Sequence, residues 1–512
     1  MTGDRGSDAD APTAADPDQG LAQSTFIVGI GTALSRLSGL AKLGVVAYVL
    51  GFTRLTDVYN LANTTPNILY ELALGGVLTA ALVPFFVDRL DRRDHAAIST
   101  LVFTTGIALV AVTAATIVSA PWVARLYTLN VDEAGLGEQR KLITSLLRWF
   151  APQILFYGLV ALSTAMLHAR RRFAAAAIAP VLNNLAVMGA LIALHASADG
   201  PLTVASVLDR PLLVAVLGAG TSAGILAMAL ATVGAFRSSG IRWVRPRLHH
   251  PVLGEIARLS GWSAGYVASN QVALWVVLVL AAQHAGDLSA YQTAFVFFQL
   301  PHGLLAVSLM TTFAPGLATR ARDSAALREH FSSGLRLLLL LTAPAAAGYL
   351  VLSGPVVQTL LERGALTGAS AERTAHVLTA LAVGLVPFSA YLYTLRGFYA
   401  MRDARTPFLV NAGENAVNIG LALALAPAFE ATGLALSYAI AYCLAAGVAL
   451  VLFARRVGGL DPAGFHTAAR AGACAAVMAV AVAATQALLE KQRVEVRALA
   501  GVATGVMVYR GL

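Results

Sequence analysis

Arg36 and Lys42 sit in the middle of an apolar helix that begins before Gly31 and ends near Leu50. Each cation at a helix centre costs about 2.5–3.5 kcal/mol on insertion scales, while an apolar residue returns only about 0.3–0.6 kcal/mol, so together they offset roughly ten good apolar residues. Snorkelling to an interface is awkward from mid-helix, which argues against lipid contact. Gly31, Ser35, Ser38 and Lys42 recur at i, i+4, i+7 and i+11 with Arg36 at the edge, the pattern of a polar stripe lining a wet interior. A guanidinium fork suits phosphate oxygens and an ammonium beside it adds a point charge, so the pair reads as an anion holder on a cavity wall.

Further candidates follow. After the turn Gly51-Phe52-Thr53-Arg54 the chain re-enters apolar sequence with Asp57, Pro66-Asn67, Tyr70-Glu71 and Gly75-Gly76. Asp57, near the outer mouth, is either an interfacial cap or a gate. Glu71 follows a proline break whose exposed carbonyls call for a local charge partner, so a structural ion pair with Arg36 or Lys42 weighs equally with substrate contact. Gln299-Leu-Pro301-His302-Gly303 occupies a comparable position later in the chain, where the bland reading of His302 is a packed, hydrogen-bonded residue. Asn411, Glu414, Asn415 and Asn418 crowd one helix as a candidate ion or substrate face, with interhelical amide bonding as the competing reading. Which metal, if any, binds is left unknown, and no cofactor is expected. Cys443 and Cys474 fall in apolar runs, which indicates neither a disulfide framework nor a thiolate site.

The elements that must position these residues are transmembrane helices. With 57% hydrophobic and 12% charged residues over 512 positions, and a mean hydropathy of +0.71, the chain is an all-α polytopic membrane protein. Runs long enough to cross about 30 Å of hydrocarbon predict fourteen helices, near 25–50, 58–87, 97–124, 143–168, 173–195, 211–235, 253–283, 288–318, 331–353, 375–400, 406–427, 431–454, 465–489 and 494–509. Residues 1–24 read as a disordered acidic tail without the apolar core of a signal peptide. With that tail cytoplasmic, about 18 basic residues fall in inside loops against roughly 10 outside, so both termini are expected in the cytoplasm. The net charge of +9 then reflects topology and the anionic inner leaflet, and no nucleic-acid partner is implied.

The chain also reads as duplicated. Pro84 and Pro315, Asn184 and Asn415 with their following Gly189 and Gly420, and Arg171 and Arg402 are all separated by 231 residues. Six crossings per copy predict two six-helix lobes, 25–236 and 252–457, in a parallel pseudo-two-fold repeat, with two C-terminal helices at 464–512 outside it and a substrate site between the lobes.

Ser35-Arg36-Leu-Ser-Gly39-Leu-Ala-Lys42, Asp57, Pro66-Asn67, Gly76 and Val83-Pro84 resemble the first two helices of the MurJ (MviN) lipid II flippases, within the multidrug/oligosaccharidyl-lipid/polysaccharide exporter superfamily; the resemblance runs from about residue 24 onward. It implies that Arg36 and Lys42, the latter lysine where arginine is common, hold a lipid-linked diphosphate sugar. Tyr70 and Glu71 stand where many members carry an arginine pair, Gly75 where they carry a glutamate, and Val296 near an arginine often found in the eighth helix. Some members bind sodium in the second lobe through aspartates; the positions that fall there hold Asn411 and Asn415, so no sodium site is implied.

The expected substrate set is therefore Arg36, Lys42, Asp57, Tyr70, Glu71, Gln299 and His302. The expected function is transport of lipid II, the undecaprenyl-diphosphate-linked peptidoglycan precursor, from the inner to the outer leaflet by rocking of the lobes. The alternative is export of drugs or polysaccharide lipids; a cavity for cationic drugs should be net acidic, whereas the first helix is basic. A membrane-embedded enzyme lacks support: there is no H-E-x-x-H, no paired acidic motif at a membrane face and no room for a catalytic domain in the loops. Membrane lipids are the expected surroundings, and no protein partner can be named.

Overall fold

The computed structural model describes residues 17–75, 82–129, 131, 135–237, 240–247, 251–362, 364–461 and 463–511. Residues 1–16 of the expected tail, Gly76 of the motif and Arg363 of the outside loops lie beyond these. The elements are α1 (Pro17–Leu50), α2 (Arg54–Tyr70), a π-helical turn (Glu71–Gly75), α3 (Leu82–Asp91), α4 (His95–Tyr127), α5 (Leu136–Phe150), α6 (Gln153–Ala169), α7 (Ala174–Ala196), α8 (Val204–Leu208), α9 (Pro211–Arg237), α10 (Pro251–Ala281), α11 (Asp287–Pro301), a second π-helical turn (His302–Ala306), α12 (Val307–Arg320), α13 (Ser324–Leu361), α14 (Gly368–Val383), α15 (Leu385–Ala400), α16 (Arg405–Val457), α17 (Ala463–Leu488) and α18 (Val494–Gly511). Among the described residues there is no strand.

Helix α1 starts eight residues before the expected boundary, so 17–24 are helical. Proline at the first helical position followed by an acidic residue is a start signal that hydropathy passes over. Among the described residues ten helical segments are long and apolar enough to cross a membrane, or eleven if α14 and α15, bent by 46°, form one span. The 53 residues of α16 would run about 80 Å if straight, far more than the hydrocarbon thickness. It is a hairpin. Glu430 breaks it at φ 50°, ψ −134°, and the Ser437 hydroxyl donates to Asn418 Oδ1 at 3.0 Å. Those two residues would sit about 28 Å apart on a continuous helix, so the arms must fold back. The expected count of fourteen crossings is compatible with these elements.

Packing divides the molecule. Helix α1 packs on α7, α7 and α6 on α9, and α2 on α5 and α6; α10 packs on α16, α16 on α15, and α11 and α13 on α14; α17 and α18 lie on α13 and on each other. The 231-residue offset recurs in the backbone itself. The two π-helical turns begin at Glu71 and His302, 231 residues apart, and Arg171 and Arg402 both adopt left-handed φ, at 55° and 61°. Proline explains the second turn: Pro301 cannot donate to the Phe297 carbonyl, and the Tyr349 hydroxyl does so instead at 2.8 Å.

Candidate functional site

The polar stripe on α1 splits into two parts. Asn184 on α7 donates to Ser38 Oγ at 3.0 Å and to the Ser35 carbonyl at 3.3 Å, and Gly31 abuts Ala177 so closely that a Cβ there would lie 2.7 Å from the alanine methyl. Gly31, Ser35 and Ser38 therefore face a helix partner rather than a wet interior, which corrects that part of the reading. Small and hydroxyl residues at helical spacing serve close packing as readily as hydration. Only the two cations extend past this seam.

Lys42 lines a cavity of about 220 Å³ enclosed by α1, α2, α6, α7, α9 and α11, with Asn60, Asn63, Tyr157, Asn183, Thr221 and Gln292 among its polar walls. Arg36 reaches the second π-helical turn, where a Cβ on Gly303 would overlap its guanidinium. Neither cation forms an ion pair or a hydrogen bond with any described residue, and Arg36 Nε is buried without a partner. The expected alternative of an ion pair with Glu71 is not found: the Glu71 carboxylate folds against Gly75 of its own turn. Arg36 is half-buried, and its buried, unpaired Nε costs free energy that a ligand on the guanidinium would offset.

Asp57 is a cap, one of its two expected roles, but for a helix 229 residues further along the chain. It is 1% exposed and accepts from the Gly286 backbone N–H at 2.6 Å, the Ser289 N–H at 3.0 Å and the Ser289 hydroxyl at 2.6 Å. Gly286, at φ 87°, is the N-cap of α11 and carries no capping side chain, so Asp57 caps that helix from another part of the chain. Three residues earlier, Arg54 donates to the carbonyls of Ala282 and Gln283 at 2.5 and 3.1 Å, closing the C-terminal end of α10. Asn60 reaches Ser289 Oγ at 3.3 Å and Gln292 reaches Thr64 Oγ1 at 3.3 Å. Arg373 pairs with Asp287 at 2.7 Å, and the Ala365 N–H donates to the Tyr48 carbonyl at 2.9 Å. This end of the molecule is latched shut.

The other expected residues scatter. Tyr70 lies with its ring centre 5.6 Å from that of Tyr157, lining a 400 Å³ recess between α2 and α6 that ends at His168. Gln299 is half-buried and its carbonyl accepts from the His302 N–H. His302 is buried, with Nδ1 2.9 Å from Ser389 Oγ, in agreement with the bland reading. Asn411 and Asn415 both donate to Asn270 Oδ1 at 2.9 Å, so interhelical amide bonding accounts for these two. Glu414 has no such partner. It borders a cavity of about 470 Å³ between α10, α11 and α16, which shares Gln292 and Val296 with the Lys42 cavity. Sequence reasoning missed Arg54, Asn270, Gln271 and Ser289. The signal for Arg54 and Ser289 was available: the bonds linking Arg54, Asp57, Asn60 and Thr64 to residues 282–292 span 228 to 232 residues, close to the repeat offset.

Comparison with known proteins places this geometry. The family model described as "MurJ: Lipid II flippase MurJ" matches residues 46–503. A probable lipid II flippase MurJ of Rhizobium meliloti is 30% identical over 446 residues, covering 84% of this chain and 79% of that protein. A solved structure described as lipid II flippase MurJ in an inward closed conformation superposes with a TM-score of 0.79 at 20% identity, covering 95% of this chain and 97% of that one. An inward-facing multidrug resistance transporter of the MATE family in the MOP superfamily gives 0.66 at 14% identity, over 83% and 94%. At these identities both structures speak for the fold alone.

Proposed function

The chain belongs to the lipid II flippase MurJ family, and from that premise we propose how its residues move a lipid-linked diphosphate sugar across a bacterial plasma membrane. The observation that supports the site is the pair of partnerless cations between the two halves of the molecule. A diphosphate is the ligand such a pair asks for: the Arg36 fork takes two phosphate oxygens, and Lys42 adds a point charge above it. The sugar-peptide head then occupies the cavity beside Lys42, while the isoprenyl tail stays in lipid. Tyr70, Glu71, Gln299 and His302 flank this path without touching the cations through any described bond.

The latch supplies the conformational step. Both termini are cytoplasmic in the orientation that puts most basic loops inside, so the end carrying Gly51, Gly286 and Ala365 faces outward. Substrate enters from the inner leaflet while Asp57 and Arg54 cap the ends of α11 and α10, and rocking of the lobes breaks these caps to release the head outward. Asp57 is thus assigned to gating rather than to substrate. The lobe boundaries, 25–236 and 252–457, are part of the same proposal and are supported by the matched π-helical turns. The role is transport; catalysis is not proposed. The test is complementation of a MurJ-depleted bacterium, scoring lipid II at the outer leaflet. Export by Arg36→Ala at the normal rate would overturn the anchor assignment.

A further inference from the structure

The 470 Å³ cavity holds a group that the phosphate-anchoring scheme does not use. Glu414 is 4% exposed, and both of its carboxylate oxygens are buried without a hydrogen-bond partner. Gln271, which lines the same cavity, also has its Oε1 buried without a partner. A buried carboxylate without a donor is neutralised either by a proton or by a cationic ligand, and no described lysine, arginine or histidine lines the cavity.

Shape narrows the ligand. A bare metal ion wants a tight oxygen cage, whereas this space is many times larger than one ion and is lined by Tyr291, Phe295, Tyr438 and Tyr442. Tyr438 lines it, with ring centres 4.6 Å from Tyr442, 5.5 Å from Phe295 and 5.9 Å from Phe298 in tilted or edge-on contacts. Tyr291, 6.3 Å from Phe295, completes the box on the α11 side. Aromatic faces around a carboxylate attract organic ammonium groups through their quadrupoles.

We propose that Glu414 and the Tyr291–Tyr438–Tyr442 box form a binding site for an organic ammonium group. It adjoins the Lys42 cavity at Gln292 and Val296, so a cation-bearing and an anion-bearing compartment share one wall. A molecule with phosphate at one end and an amine at the other spans both. The ammonium belongs either to the head peptide of the lipid-linked substrate or to a separate amine; both present the same group to Glu414.

The site stands on residues other than Arg36 and Lys42, which allows it to fail separately. Purified full-length protein in nanodiscs is titrated with ethidium, followed by fluorescence polarisation. Glu414→Gln and Tyr438→Ala should each weaken binding at least tenfold, and Arg36→Ala should leave it within twofold. Glu414→Gln keeps the side-chain shape and removes a stranded charge, so thermal stability should hold or rise, which separates lost binding from misfolding. Equal ethidium affinity in wild type and Glu414→Gln overturns the proposal, as does absence of saturable binding to the folded wild type. A second titration compares a lipid-linked substrate bearing a free amine with its N-acetylated form. Weakening on acetylation in wild type but not in Glu414→Gln assigns the ammonium to the substrate; equal affinities together with ethidium binding assign it to a separate amine.

Discussion

Replacing Asp57 by Ala should open the latched end of the molecule. The carboxylate accepts three hydrogen bonds while 1% exposed, two from the first turn of α11 and one from Ser289 Oγ. Hydrogen bonds to a charged group contribute roughly 1.5–3 kcal/mol each, but in the open state Asp57 and the α11 N-terminus regain water. The share bearing on the open–closed balance is then about 3 kcal/mol, a shift of roughly a hundredfold. Spin labels at the exposed positions Ser197 and Ala369, on the first and second lobes, in a Cys443→Ser, Cys474→Ser background report the separation by pulsed electron–electron resonance. Wild type should give one short distance, and Asp57→Ala an added longer component. Asp57→Asn should lie between them, because its amide keeps one acceptor but turns N–H groups toward the N–H donors of α11. Identical distributions for all three proteins would refute the latch and return Asp57 to the substrate path.

Arg36→Ala should abolish export with unchanged or higher abundance in the membrane, since removing a mid-helix charge eases insertion by about 2.5–3.5 kcal/mol; a fall in protein level matching the loss of export would point to a structural role instead. Arg36→Lys should restore export only in part and Lys42→Arg should be tolerated, both read from outer-leaflet lipid II in the depleted strain. Gly303→Ala places a methyl group in the space of the Arg36 guanidinium and should reduce export several-fold at normal abundance; full export would show that the arginine has room to move. The cysteine-free protein should support growth, because Cys443 and Cys474 are free thiols on separate helices, and failure to complement would show that one of them is needed.

What the sequence made legible, and what it hid, both follow from the duplication. Crossing segments and the mid-helix cations were readable because hydropathy and insertion cost act locally along one helix. So was the offset of 231, and the structure adds the two π-helical turns at that spacing. The partners of Asp57 were not readable, because the donors are backbone N–H groups, which every sequence carries at every non-proline position. Yet the 231-residue offset points to the region where the partners lie. Where two parallel copies meet along their shared axis, each residue near that axis faces its own equivalent in the other copy. Adding 231 to Arg54, Asp57, Asn60 and Thr64 gives 285, 288, 291 and 295; their actual partners are 282–283, 286 and 289, 289, and 292. The partners trail the equivalents by two or three residues, except Ser289, which lies one ahead of the equivalent of Asp57; all are within one helical turn, as expected where the first turn of α2 crosses the loop and first turn of α11. The same rule has a limit that accounts for Glu414. Its equivalent 231 residues earlier is Asn183, which lines the Lys42 cavity, so the same position carries an amide beside the cation in one lobe and a carboxylate without one in the other. The 231-residue correspondence pairs these two positions, and the different side chains they carry accompany opposite charges in the two compartments.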